Sequence, residues 1–277
     1  MYYQYDLKQG VLRYLKSYLL PVVLTVVGCI SFKMAVIDES AIGMLERAVT
    51  FPDLLLYLWK GDKPNILYKK GEFHFPFLWI ITQIQLSYIV GRYPTSELYD
   101  NHGAYVLIKG GSRFRWLQSK CLVILINCLI FYGVTVLSAF IFSELNGFSM
   151  QFLIEPSASP LLLTSENNLT GVNLILLLLL PLLASIALSY VQLAITLFID
   201  STVGFTFVLG ICAVSIYFES IFIFPNCSAL SRNALFNAGT IDTINAIILL
   251  FSIIVTSIFI CHIYFGKTDI IKKGKSV

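Results

Sequence analysis

Six separated apolar runs, each about as long as a membrane is thick, constrain this chain more than any other feature. A helix needs roughly 20 residues to cross the ~30 Å hydrocarbon core of a bilayer, and its backbone satisfies its own hydrogen bonds there. The runs lack the alternation of apolar and polar residues that the strands of a membrane barrel require. We therefore predict an all-α, polytopic membrane protein with six transmembrane helices, folded as a single transmembrane domain over residues 1–277. The runs cover residues 18–37, 75–91, 121–142, 172–199, 203–224 and 244–265.

The distribution of charge predicts how the chain is oriented. The net charge of +3 is too small to indicate binding to nucleic acid. If the N-terminus lies inside, twelve of the nineteen Lys and Arg residues fall in cytoplasmic segments and seven fall on the opposite side. Cytoplasmic segments of membrane proteins usually carry the excess of basic residues. We therefore expect a multi-pass protein embedded in the lipid bilayer of the cell membrane, with both termini cytoplasmic.

An amphipathic segment at residues 6–20 precedes the first span. Its apolar residues recur at helical spacing and its basic residues lie on the opposite face, which is typical of a helix that lies in the membrane plane. We predict that the chain turns from this helix into the first span at Pro21. An ordinary basic flank of a first span is the alternative. The apolar face holds Leu7, Val11, Tyr14, Leu15 and Tyr18, and the polar face holds Gln9, Arg13, Lys16 and Ser17.

The predicted outer segment at residues 38–74 is too long for a simple turn. Thr50 is a favourable start for a helix because Pro52 and Asp53 then stand in the first turn. In that turn the missing N–H of proline is harmless and an acid complements the helix dipole. The following residues, 54–59, are apolar but too few to span a membrane. We predict a helix that rests on the outer surface at the lipid boundary, with a re-entrant element as the alternative.

A compact polar island at residues 92–120 separates the second and third runs. It carries five of the nineteen basic residues of the chain. We expect Pro94 to end the second span because proline removes a backbone donor and restricts the residue before it. Thr95 or Ser96 can then cap a short cytoplasmic helix over residues 95–108.

Apolar residues on this short helix indicate a docking surface for a soluble partner. A loop that only reconnected two spans would not need Tyr105, Val106 and Ile108, which something must cover. The glycine pair at 110–111 then interrupts the helix, and Ser112 can cap the third span. The predicted docking residues are Glu97, Leu98, Tyr99, Asp100, His102, Tyr105, Val106 and Ile108.

Two stretches of the island carry a resemblance to a known family. The sequence LYDNHGAY at residues 98–105 and the sequence GSRFRWLQSK at residues 111–120, with six spans and an amphipathic N-terminal helix, resemble the permease subunit of a type-2 ATP-binding-cassette (ABC) exporter of Gram-positive bacteria. The resemblance implies that residues 95–108 form the coupling helix, which sits in a groove of a separate cytosolic ABC ATPase. ATP and Mg would bind to that partner, and this chain would hold no cofactor. A second permease half, identical or different, would complete a path for a peptide, a bacteriocin or a drug.

Polar residues inside the apolar runs are candidates for that translocation path. Glu219 falls within the fifth run, and an acid in a span is a functional candidate. Snorkelling of Glu219 to the interface, or a pair with Lys33, is the alternative. Gln83, Asn127 and Gln192 are milder candidates, because polar side chains in spans more often hydrogen-bond neighbouring helices.

The sequence contains no motif for catalysis or for metal binding. His74, His102 and His262 are far apart and form no pair at the spacing of metal ligands. Hydrolase motifs such as G-x-S-x-G are absent. We therefore expect no catalytic residue, no metal site and no enzymatic activity in this chain.

Two other functions stay open. A stand-alone immunity protein could sequester a bacteriocin at the outer segment, residues 38–74. An ion-coupled secondary transporter could use Glu219. A neighbouring ATPase gene would favour the exporter, whereas transport that persists without ATP but collapses with an ion gradient would favour the secondary transporter.

Overall fold

The computed structural model of this chain describes residues 2–45, 47–62, 75–99, 112–151, 174–234 and 241–267. Within these ranges the chain is helical and forms no β-strand, which confirms the all-α class. Short 3₁₀ helices occur at Leu12–Tyr18, Phe224–Ser228 and Leu230–Arg232. The α-helices are α1 (Tyr2–Gly10), α2 (Leu19–Ile42), α3 (Phe51–Trp59), α4 (Phe77–Tyr99), α5 (Arg113–Leu145), α6 (Leu174–Phe198), α7 (Ser201–Tyr217) and α8 (Thr243–Lys267).

Four helical segments in the described part of the chain are long and apolar enough to cross a membrane. They are Tyr3–Ile42, Arg113–Leu145, Leu174–Phe198 and Thr243–Tyr264. The two remaining predicted spans also form helices, α4 and α7. These two helices miss the criterion for different reasons. α4 has polar residues in its middle, including Gln83 and Gln85, which lower its mean hydropathy, and α7 has only 17 residues. The structure therefore supports a membrane protein, and four of the six predicted spans meet the criterion of length and composition.

The fifth predicted span ends earlier than expected. We predicted a run to residue 224, but α7 ends at Tyr217 and Phe218 adopts an extended conformation. The side-chain amide of Asn226 donates hydrogen bonds to the carbonyl oxygens of Phe218 and Ser220, at 2.9 Å each. These bonds stabilise the non-helical path. As a result Glu219 lies beyond the end of helix α7.

The N-terminal segment differs from the single amphipathic helix that we predicted. α1 ends at Gly10, a 3₁₀ helix follows, and α2 then begins at Leu19. No turn occurs at Pro21, because proline is tolerated in the first turn of α2, where its missing N–H has no intrahelical partner. On the predicted apolar face Val11 and Tyr18 are buried, but Leu15 is exposed.

Helix α3 forms where the sequence predicts it, but its position is different. The hydroxyl and backbone N–H of Thr50 both donate to Asp53 Oδ2, at 2.7 and 2.9 Å. Arg47 pairs with both oxygens of the Asp53 carboxylate, at 2.7 and 2.9 Å. The prediction that α3 rests on the outer surface is wrong, since every residue of α3 except Tyr57 is buried. α3 packs inside the helical bundle against α2 and α5 because its apolar residues point in all directions, leaving no polar face for the surface.

Helix α6 forms the centre of the bundle. Leu177, Leu180, Ala184 and Ala187 on this helix are completely buried, and α6 packs against α4, α5, α7 and α8. A tight hairpin connects α6 to α7, and the Asp200 carboxylate caps α7 by accepting a hydrogen bond from the backbone N–H of Val203 at 2.8 Å.

Ring contacts identify the helix ends that lie together. Phe114 at the start of α5 contacts His262 near the end of α8, with ring centroids 4.7 Å apart. Phe198 at the end of α6 contacts Tyr264 at 4.0 Å. α1 and the last turns of α4 pack near the start of α5 at the same end. We call this the island end, because the polar island at residues 92–120 begins and ends there.

Candidate functional site: a buried ionic cluster at the island end

Three buried polar side chains from three helices meet at the island end. Lys120 Nζ on α5 lies 3.0 Å from Asp6 Oδ1 on α1. The Tyr93 hydroxyl on α4 donates a hydrogen bond to the same carboxylate oxygen at 2.6 Å, and Lys120 Nζ donates to that hydroxyl at 3.0 Å. The side chains of Asp6 and Lys120 are both 0% exposed. We call these three residues the clasp.

Close packing around the clasp excludes water. Gly10 lies directly against Tyr93, since a Cβ at Gly10 would stand 2.6 Å from Tyr93 Cδ1 and 2.7 Å from Val123 Cγ1. Any larger residue at this position would push α1 away from α4 and α5. Lys120 Nζ also lies 4.1 Å from the centre of the Tyr93 ring and 5.1 Å from that of Trp116. The Asp6 carboxylate and the faces of two aromatic rings therefore stabilise the charge of Lys120.

The buried ion pair of the clasp contributes more to fixing one arrangement of the helices than to the net free energy of unfolding. Desolvation of two charges offsets most of their attraction, whereas removing one partner leaves an uncompensated buried charge and costs about 3–5 kcal/mol. Among the described residues nothing donates a hydrogen bond to the second carboxylate oxygen, Asp6 Oδ2, which is buried. A pair that is incompletely satisfied contributes little net stability but allows only one arrangement of α1, α4 and α5.

The clasp joins the N-terminal helix to both ends of the polar island. Tyr93 is the second residue of the island, and Lys120 is its last residue. Asp6 is separated from Lys120 by more than a hundred residues in sequence. This cluster could not be predicted from the sequence, because Lys120 resembles any basic residue of a cytoplasmic loop and Asp6 resembles a polar position on an interfacial helix. The position of Tyr93 directly before a proline does not indicate a buried hydrogen bond either.

The start of the island differs from the prediction. Pro94 does not end α4, which continues to Tyr99. Thr95 and Ser96 therefore lie inside this helix and do not cap a new one. Proline in a helix interior removes one backbone hydrogen bond and commonly bends the helix, but it does not always end it.

Most of the predicted docking surface lies beyond the described residues. The backbone of Glu97, Leu98 and Tyr99 forms the last turn of α4. At the other end of the island Ser112 caps α5 as predicted, since its hydroxyl accepts from the backbone N–H of Arg115. The docking function of the whole set stays a prediction. Outside the described residues lie Asp100, His102, Tyr105, Val106, Ile108 and the glycine pair at 110–111.

The residues that we considered for a translocation path do not come together at one site. Gln83 Oε1 accepts a hydrogen bond from the Ser185 hydroxyl at 3.1 Å, which connects α4 to α6. About one turn further along α4, the Ser87 hydroxyl donates to Gln192 Oε1 at 2.8 Å, and Gln192 Nε2 donates to the Ser87 carbonyl oxygen at 3.1 Å. These side chains hold neighbouring helices together, which is the alternative role that the sequence allowed.

Asn127 and Glu219 lie in different parts of the fold. Asn127 Oδ1 accepts a hydrogen bond from the Tyr18 hydroxyl, and its Nδ2 donates to the carbonyl oxygen of Val123 at 2.8 Å. This amide connects the start of α2 to α5. Glu219 follows the end of α7 at the opposite end of the bundle. A role for these four residues in transport stays a prediction.

A second buried cation holds the opposite end of the bundle together. Arg232 is 1% exposed, and its Nε donates to the carbonyl oxygen of Asp62 at 2.7 Å. Its Nη1 donates to the carbonyl oxygen of Ser215 and to Asn226 Oδ1. The arginine thus joins the segment after α3 to the end of α7. The sequence placed Arg232 only as an outer basic residue.

Burial also changes the acid–base behaviour of Lys60, beside this second cluster. The ammonium group lies 4.4 Å from the centre of the Tyr57 ring. Burial lowers the pKa of Lys60, and the nearby carboxylates of Asp62 and Glu39 oppose that shift.

No group of three or more His, Cys, Asp or Glu side chains that could hold a metal ion occurs among the residues that the structure describes.

Comparison with known proteins places the chain in one family. A family model described as "Protein of unknown function (DUF2705)" matches residues 22–271, which is most of the chain, and the protein therefore belongs to this family. Neither the curated proteins nor the solved structures contain a match to the chain.

Proposed function

We propose that this member of the DUF2705 family is the permease half of an ABC exporter, driven by a separate cytosolic ATPase that docks on the polar island. The ATPase binds ATP and Mg, and closure of its two nucleotide sites moves the coupling segment at residues 95–108. A second permease half, identical or different, completes the path through the membrane. The substrate class that fits the resemblance is a peptide, a bacteriocin or a drug.

The clasp is the single observation that supports this proposal most. A partner that moves the island must transmit force to the spans on either side of it. Tyr93 and Lys120 connect the two ends of the island to each other and to Asp6 on α1 through buried bonds of 2.6–3.0 Å. Displacement of the island would therefore move α1, α4 and α5 as one unit. A loop that only linked two spans would not need such a junction.

The alternation of the helices supports six crossings with both termini on one side. α1 and the end of α8 lie at the island end, and the six long helices α2, α4, α5, α6, α7 and α8 alternate in direction if each crosses the membrane once. At about 1.5 Å per residue, α4 is ~34 Å long and α7 is ~26 Å long. The shorter helix crosses a ~30 Å core if the extended residues after Tyr217 cover the remaining distance. In this arrangement the island is cytoplasmic and the Arg232 cluster faces outward.

The two rival functions depend on features that the structure places differently. Sequestration of a bacteriocin by the outer segment was attractive if α3 rested on the surface, but α3 is buried. An ion-coupled carrier was attractive if Glu219 lay inside a span, but Glu219 follows the end of α7. We therefore favour the exporter.

Co-purification tests the proposal directly. Purified in detergent from its native host, the chain is expected to bring down a cytosolic ABC ATPase. Tyr105→Asp and Val106→Asp are each expected to abolish the association without preventing membrane insertion, because a carboxylate would be buried at the interface. Tyr3→Asp, at an exposed position on α1 at the same end, is the matched control and should bind normally. Normal ATPase binding and transport by both island variants would refute the docking role.

A further inference from the structure

We propose that Arg13, Lys16 and Arg92 form a binding site for the phosphate of an anionic phospholipid at the island end. We call these three residues the basic corner. The proposal does not depend on the exporter function, since it concerns only how the protein contacts the bilayer.

Arg92 is held in one orientation by aromatic rings. Its guanidinium carbon lies 4.6 Å from the centre of the Tyr14 ring and 5.3 Å from that of the Tyr88 ring. Its Nη1 also donates to the Ser17 hydroxyl at 3.3 Å. These contacts use the faces of the guanidinium and one of its five N–H groups. The side chain is exposed, so the remaining donors point away from the bundle and can bind an oxyanion.

The 3₁₀ geometry of Leu12–Tyr18 aligns the other two cations. In a 3₁₀ helix, side chains three residues apart lie directly above one another. Arg13 and Lys16 therefore form one column, next to the column of Tyr14 and Ser17 that contacts Arg92. Both cations are exposed. An α-helix at this position would place residues three apart about 60° out of line and spread the two cations further.

No carboxylate neutralises the basic corner within the described part of the chain. The only side-chain acceptor that Arg13 contacts there is Gln9 Oε1, at 3.4 Å. The acid nearest to Arg13 and Lys16 in sequence, Asp6, is buried and already paired with Lys120. Three exposed cations that form no ion pair with a described acid create a positive field that attracts anions.

Exposed apolar side chains beside the cations identify the anion as part of a lipid. Leu12, Leu15 and Leu19 on the same short segment are 58%, 52% and 64% exposed. Leucines in these positions would be unfavourable in water, but they suit contact with acyl chains just below a headgroup. Tyr88 is half exposed beside Arg92, and tyrosines are enriched at the membrane–water interface. A free phosphate ion or a soluble acidic protein would leave the leucines uncovered.

Lipid titration of the full-length protein in detergent tests the proposal. Native mass spectrometry would count bound phosphatidylglycerol and, separately, phosphatidylcholine with the same acyl chains, and a third arm would add inorganic phosphate as a competitor. Each cation that is lost is expected to weaken binding about fivefold, so that Arg13→Gln/Lys16→Gln/Arg92→Gln weakens phosphatidylglycerol binding about a hundredfold. Lys33→Gln removes an exposed lysine near the other end of α2 and should leave binding unchanged.

Each result has a clear meaning. Selective binding of phosphatidylglycerol that the triple variant loses and the Lys33→Gln variant keeps supports the site. Equal binding of both lipids, or wild-type binding by the triple variant, overturns it. Displacement of the lipid by inorganic phosphate at an equal concentration overturns the lipid assignment in favour of a free anion. If the triple variant does not fold, Arg92→Lys decides the matter. This variant keeps the charge but loses the planar group that stacks on the Tyr14 and Tyr88 rings, so it should bind phosphatidylglycerol more weakly than the wild type. Unchanged binding would overturn the site.

Discussion

Lys120 Nζ on α5 lies 3.0 Å from Asp6 Oδ1 on α1, and neither side chain has any exposed surface. Together with Tyr93, the pair joins the two ends of the island to the N-terminal helix, although the residues stand far apart in sequence. A charged pair at such a position contributes mainly by fixing how three helices meet, because desolvation offsets most of the attraction between the charges. Single and double substitutions can separate the cost of leaving one buried charge unpaired from the coupling free energy of the pair.

The clasp predicts strong coupling between Asp6 and Lys120. Lys120→Met leaves a buried carboxylate without its cation and is expected to lower the free energy of unfolding by about 3–5 kcal/mol. Asp6→Leu should cost a similar amount. The double variant should be much less destabilised than the sum of the two, since it buries no isolated charge. Chemical unfolding in detergent measures all three, with Lys8→Met at an exposed position of α1 as the control. Additive single effects would contradict the coupling.

Local signals in the sequence predicted two helix starts correctly. Thr50 and Asp53 begin α3, and Ser112 caps α5. Each of these interactions joins residues within about three positions of each other, so that short-range chemistry determines it. The prediction that Pro94 ends the second span was wrong, because a proline weakens a helix but tertiary packing decides whether the helix ends there.

The long-range arrangement was beyond the reach of the sequence. Apolar residues throughout α3 predicted contact with something apolar, but lipid and protein interior satisfy that preference equally well, so the burial of Leu54 could not be foreseen. The clasp could not be predicted from the sequence for a related reason. A lysine in a loop, such as Lys120, indicates the cytoplasmic side of a membrane, and nothing in one sequence separates that role from a buried pair with Asp6.

The α6–α7 hairpin predicts opposite outcomes for two glycines on the same helix. A Cβ at Gly204 would stand 2.6 Å from Thr196 Oγ1 and 3.0 Å from the backbone oxygen of Gln192, and the backbone atom cannot move away easily. Gly204→Ala should therefore separate α6 from α7 and destabilise the protein by about 1–3 kcal/mol. At Gly210 the space around a Cβ is open, and Gly210→Ala should stabilise the helix by about 0.5–1 kcal/mol. Thermal unfolding in one detergent compares the pair, and equal shifts would contradict the packing.

The start of α3 predicts a local loss of order when Asp53 is changed. The Asp53 carboxylate accepts from Thr50 and pairs with Arg47 through both oxygens. Asp53→Asn removes the charge of a buried pair and is expected to cost about 3 kcal/mol. Hydrogen–deuterium exchange should increase most over Phe51–Trp59. Asp38→Asn, at an exposed position on α2, is the control with the same chemical change. Unchanged exchange over α3 in Asp53→Asn would show that the cap does not hold this helix.

Thiol labelling tests the proposed orientation without removal of the native cysteines. All six cysteines are free and buried. Burial raises the pKa of Cys227, outside the spans, to about 12, so its thiol stays almost entirely protonated at pH 7 to 9 and the reactive thiolate forms as the pH approaches and passes this value. Maleimide at pH 7 to 9 should therefore label the folded wild-type protein hardly at all and label it fully after denaturation.

Single cysteines introduced at the two ends then report the side of the membrane. Phe222, which is 81% exposed, lies at the end opposite the island, and Gln4 is exposed on α1 at the island end. A membrane-impermeant maleimide added to intact cells is expected to label Phe222→Cys and to reach Gln4→Cys only after permeabilisation. The reverse pattern would place the island outside, where no cytosolic ATPase could reach it. Labelling of both positions in intact cells would exclude a membrane between the two ends.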